Sequence, residues 1–110
     1  GAFQPQYLPS GFFKAKSDKF GDTLEIRYQD SHGTEIVFNQ TSLSKEGKSD
    51  IDTEHSTRKE IEIDGKKAIL LQANTPDDLS FVIWHNQNTS FLLKSTLSSG
   101  ELIRIAESVK

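Results

Sequence analysis

One segment limits the fold of this chain more than any other: its last fourteen residues, Leu97 to Lys110. Ser98 followed three positions later by Glu101 is a capping-box pattern. The serine side chain accepts an orphan backbone N–H, and the glutamate reaches back to the serine. Leu97 and Leu102 are placed for a hydrophobic staple across that cap. Leu102, Ile105, Ala106 and Val109 fall at i, i+3, i+4 and i+7, with Ile103 widening the stripe and Arg104, Glu107, Ser108 and Lys110 on the other side. A helix of about 12 residues is marginal by itself. The rest of the chain must therefore provide an apolar surface for it to lie on.

The upstream sequence reads as that surface. Thr23 to Gln29 alternates, with Leu24, Ile26 and Tyr28 against Glu25, Arg27 and Gln29. This is the two-residue period of a half-buried strand. Asp30–Gly33 is a turn by composition, and Glu35 to Gln40 resumes the alternation. Arg58 to Ile63 and Lys66 to Ala73 flank Asp64-Gly65, the strongest hairpin signal in the chain. The unbroken run Ala68–Leu71 predicts a strand covered on both faces near its middle. Leu79 to His85 and Ser90 to Thr96 complete the strands, and Phe12 to Ala15 is a short first one, followed by a turn at Ser17–Gly21. Residues 2 to 11, with two prolines and two aromatics, are an extended lead-in. Short turns between neighbours imply antiparallel pairing. The expectation is an α+β domain spanning residues 2–110: an antiparallel meander of about seven strands with the C-terminal helix packed on one face.

Composition narrows the function classes. The net charge is −3 and no Lys/Arg run exceeds two, which argues against a nucleic-acid partner or an anionic membrane surface. With no cysteine, disulfides, thiol catalysis and Cys-based metal sites are excluded. The chain has no methionine, even at position 1, so it is expected to be a fragment in which Gly1 is a tag remnant. Any membrane association is expected through an anchor outside it.

No motif points to catalysis. His32, His55 and His85 lack the spacing of a metal site. Asp50-Ile51-Asp52-Thr53-Glu54 opens like a calcium loop, but His55 stands where that loop needs glycine and Ile61 where it needs a bidentate acid. There is no nucleophile elbow and no phosphate-binding glycine loop, so no cofactor is expected. A hydrolase reading would need the Asp50–His55 cluster to converge in a cleft. The polar stretch 41–56 is long for a compact domain, and a connection of that length suits a solvated excursion or a partner-binding loop. Phe81, Trp84, His85 and Phe91 on adjacent strands are the candidate ligand- or partner-binding residues. Their simpler reading is cross-strand core pairing.

Three stretches carry a resemblance: Tyr7-Leu8-Pro9-Ser10-Gly11-Phe12, the strand pair around Asp64-Gly65-Lys66, and Glu101-Leu102-Ile103-Arg104-Ile105-Ala106-Glu107-Ser108-Val109. Together they resemble a Gram-positive family of domains of unknown function, found after a membrane span or lipoprotein anchor and sometimes in anti-sigma-factor-like proteins. The resemblance implies an extracytoplasmic, membrane-anchored regulator or lipoprotein whose domain binds an unknown protein or cell-envelope component, without enzymatic activity. It brings no catalytic residues. The alternative expectation is a binding module holding a small apolar or amphipathic ligand between helix and sheet.

Overall fold

The computed structural model describes residues 2–42 and 56–110. Among these residues seven strands pair throughout in antiparallel fashion: β1 (Phe13–Phe20), β2 (Thr23–Gln29), β3 (Glu35–Ser42), β4 (Ser56–Ile63), β5 (Lys66–Ala73), β6 (Ser80–Asn86) and β7 (Thr89–Ser95). One helix, α1 (Ser99–Glu107), follows β7. The α+β class and the C-terminal helix on an antiparallel sheet are as the sequence implied.

The order across the sheet is β1-β2-β3-β7-β6-β5-β4, so the expected simple meander is not what forms. Two meanders meet at the β3–β7 pair, and the chain leaves β3 at the centre to re-enter at the far edge as β4. With strands about 4.8 Å apart, that crossing covers four spacings, roughly 19 Å. The long polar stretch makes it, and its residues 43–55 lie outside the described residues.

β1 is also longer than expected. Residues 17–20, read from sequence as a turn, continue the strand to Phe20, and the reversal falls at Gly21–Asp22. The pairing register shifts between Lys14 and Lys16. An edge strand that is mostly solvent-exposed has no inside and outside to alternate between, and the shift at Ala15 breaks what period remains. Elsewhere the turn chemistry holds. Asp64 and Gly65 both take positive φ, 51° and 80°, as a type I′ hairpin requires.

Side-chain alternation divides the sheet into two faces. On one, the register aligns Ile26, Phe38, Leu93, Val82 and Leu70 in a row across five strands. A parallel row holds Gln40, Phe91, Trp84 and Ala68. α1 lies on this face over β4, β6 and β7, and Leu102, Ile105 and Ala106 are at most 1% exposed. Among the described residues Ser95, Ser80 and Gln40 are the polar residues buried as a whole, and each has a hydrogen-bond partner. Ser95 Oγ donates to the Glu35 carbonyl at 2.6 Å, Ser80 Oγ accepts from Ala73 N–H at 2.9 Å, and Gln40 holds the backbone of Phe3.

The helix cap forms by half. Ser98 Oγ accepts from Glu101 N–H at 3.4 Å, but the Glu101 carboxylate does not complete the box. Its Oε2 instead accepts from the Tyr7 hydroxyl at 2.9 Å. The helix is also shorter than expected, nine residues, because Ser108 ends it. The Ser108 hydroxyl donates to the Ile105 carbonyl and accepts from the N–H groups of Gln6 and Tyr7. Residues beyond it then pair with the lead-in: Gln4 and Lys110 exchange both backbone bonds, and Pro5 bridges Val109. The Arg104 guanidinium lies 4.4 Å from the centre of the Tyr7 ring. The tyrosine at one end of the chain and the helix at the other are thus one packed unit.

Candidate functional site: the sheet face opposite the helix

The four residues singled out by sequence do not converge. Trp84 and Phe91 are cross-strand partners on the helix side, with ring centroids 5.1 Å apart and planes 26° from parallel. Phe38 stacks on Phe91 from β3 at 5.9 Å, and Phe3 of the lead-in meets Phe91 edge-on at 5.1 Å. This is a core cluster. Phe81 and His85 alternate to the opposite face. The cavity between helix, lead-in and sheet beside Trp84 and Phe91 is about 30 Å³, room for a water and far below the ~300 Å³ of a metabolite site. No metabolite-sized cavity opens beside Trp84 and Phe91 among the described residues.

The opposite face carries a recess. Its central row, Asn39, Leu92, Ile83 and Ile69, crosses β3, β7, β6 and β5 and is flanked by Glu25 on β2 and Glu60 on β4. The next row runs Arg27, Val37, Lys94, Phe81, Leu71 and Arg58. A third brings Thr23, Thr41, Ser90 and His85 together. The result is an apolar floor with a charged and hydroxyl rim. Leu71 and Val37 are each 3% exposed, although the one helix described lies on the other side. A shallow groove of about 560 Å³ opens over β4 to β7, with Ile69 and Ile83 below and Arg58, Glu60, Glu62, Lys67 and His85 around it.

Electrostatics differ across this face. Arg27 is held by Glu35 at 2.7 Å and Glu25 at 3.1 Å. Lys94 and Arg58 have no carboxylate partner among the described residues. Asn39 Oδ1 is buried without a hydrogen-bond partner among them, beside Thr23, Thr41 and Ser90 in a smaller recess of about 250 Å³. Each of these groups can accept a complementary group from a ligand. The two exposed phenylalanines of β1, Phe13 and Phe20, pair with Gln29 and Thr23 and so fall on the same side. Neither was marked from sequence. Their signal was available as large apolar residues bracketing an otherwise polar strand.

The other candidates separate. His32 lies 3.9 Å from Asp30 in the β2–β3 turn, far in sequence and fold from His85 on β6. Among the described residues no group of three or more His, Asp or Glu could hold a metal ion. The Asp50–His55 cluster lies outside the described residues. The two tyrosines have raised pKa values: Tyr7 first by its hydrogen bond to Glu101, and Tyr28 by burial.

The unit formed by Tyr7, α1 and the tail contains both terminal stretches on which the resemblance rested, and the Asp64-Gly65 hairpin is the third. The family model described as Domain of unknown function (DUF4367) matches residues 2–109, nearly the whole chain. The chain belongs to this family. No curated protein matches the sequence. In this DUF4367 domain the three stretches that carried the sequence resemblance are architectural: they fix the lead-in to the helix and turn the β4–β5 hairpin.

Proposed function

We propose that this DUF4367 domain is a non-enzymatic interaction domain of a membrane-anchored regulator or lipoprotein. It works on the outer side of the membrane and engages a partner protein or envelope component through the sheet face opposite α1, which no described element covers. The observation that carries the reading is that face itself, with an apolar floor of Ile69, Leu71, Phe81, Ile83 and Leu92 and charged groups at Lys94 and Arg58 that lack carboxylate partners among the described residues. The Gram-positive, anti-sigma-like setting rests on the sequence resemblance.

Photocrosslinking amino acids at Ile83 and at Glu107 of the full-length protein in its native host test the surface. A discrete adduct is expected from Ile83 and none from Glu107 on the exposed side of α1. Adducts of equal yield from both positions, or from Glu107 alone, would put the interface elsewhere. Protease shaving of intact cells tests the location: a domain protected until lysis would refute the extracytoplasmic part.

The second reading, a module for a small amphipathic ligand, is favoured by one observation. The groove of about 560 Å³ lies within the range of small-molecule sites. That groove lies on the sheet face opposite α1. Under this reading, native mass spectrometry of protein purified from its host shows a bound small molecule that Ile69→Glu releases.

A further inference from the structure

We propose that residues 2–8 are an exchangeable arm, and that the seat they occupy also accepts the arm of a second copy of this chain, giving a reciprocal dimer. The arm's seat is made almost wholly from distant parts of the chain. Phe3 packs edge-on to Phe91 and gives and takes a backbone hydrogen bond with the Gln40 side chain, at 2.9 and 2.6 Å. Gln40 is only 8% exposed, so this is a built fitting for an extended backbone. Gln4 pairs with Lys110, the N–H groups of Gln6 and Tyr7 reach Ser108 Oγ, and the Tyr7 hydroxyl reaches Glu101. Nothing in this set depends on which chain supplies the arm, which is the condition for exchanging an element between identical protomers.

The hinge gives the exchange a handle. The arm folds back onto its own chain through the turn Pro9–Phe12, closed by Phe12 N–H to the Pro9 carbonyl at 3.3 Å with Gly11 at φ +93°. A side chain at Gly11 meets no atom within 4 Å, so replacing it strains the folded-back turn without touching the seat. An opened, extended hinge has no such requirement. A dimer opens two hinges, so a single substitution counts twice in the equilibrium. A longer hinge acts in the opposite direction, because it relieves the turn and favours closure within one chain.

The full chain is refolded from denaturant at total concentrations from about 1 μM to about 1 mM, the upper end matching the effective concentration of a short tether. Light scattering on a sizing column then reads the dimer fraction. The wild type is expected to be monomeric at the low end with dimer appearing at the high end. Gly11→Val is expected to lower the dimer dissociation constant at least tenfold, and inserting Gly-Ser-Gly after Ser10 to raise it. Absence of dimer in all three, or a dissociation constant unmoved by either hinge change, overturns the proposal. If Gly11→Val fails to fold, as judged by Trp84 fluorescence, the wild type and the insertion decide by the same criterion. A dimer formed through the sheet face opposite α1 is recognised by its loss in Ile83→Glu and its indifference to the hinge, so the proposal and the reading of that face fail separately.

Discussion

Replacing Ile105 with alanine tests the central packing claim, that α1 is the lid of the core. The side chain is 0% exposed and lies on the helix face turned to the sheet, next to Ala106 and one turn from Leu102. Removing three carbons at about 0.8 kcal/mol per buried CH₂ gives a transfer term of about 2.4 kcal/mol. The cavity left behind adds to it, because neither the sheet nor a helix pinned at Ser98 and Ser108 can close the gap fully, and the total is roughly 3–4 kcal/mol. Urea unfolding followed by Trp84 fluorescence measures it, since Trp84 is buried under the same layer. The midpoint should fall with the slope unchanged, as expected for a pure stability effect. At about 4–8 °C per kcal/mol, the melting temperature should drop by more than about 12 °C. Leu102→Ala, also at 0% exposure, should cost a similar amount. Glu107→Ala, on the exposed side, should stay within about 0.5 kcal/mol. A loss well under about 1 kcal/mol at both Leu102 and Ile105 would refute the packing as described.

Other outcomes follow from particular contacts. Both tyrosine pKa values are raised in the fold, so each contributes stability that is present below 10.0 and is lost as pH climbs through the folded values. Ultraviolet titration should show both hydroxyls ionising above 10.0, and a phenol ionising below it would contradict the Tyr7–Glu101 bond or the burial of Tyr28. Gly65→Ala meets no atom within 4 Å but must hold φ near +80°, so the expected cost is about 1 kcal/mol from backbone strain alone. A neutral result in thermal melts would argue against the type I′ turn. Gln40→Leu keeps the bulk but removes both fittings for Phe3 and should cost about 1–3 kcal/mol. Hydrogen exchange should then rise at Phe3 and Gln4 before it rises in β3; unchanged exchange there would mean that the arm is held without Gln40.

Local sequence determined the elements. Thr23–Gln29 and Lys66–Ala73 form strands over the very residues their patterning marked, because a strand buried on at least one face must alternate or fill with apolar residues. The cap at Ser98 and the turn at Asp64-Gly65 were equally legible, since each depends on residues three or fewer positions apart. β1 was half missed because an exposed edge imposes no pattern. Of the candidate site, the residue types were legible but their sides were not: Trp84 and His85 are neighbours in sequence and point to opposite faces. Only tertiary structure decided that β7 and not β4 would pair with β3, because nothing local in the alternating pattern specifies a strand's partner. It also decided that Glu101 would serve Tyr7 instead of its own cap, a competition between partners 94 positions apart that no window on the sequence contains. The chain by itself specified a sheet and a helix to cover it. Packing decided which face of the sheet the helix took.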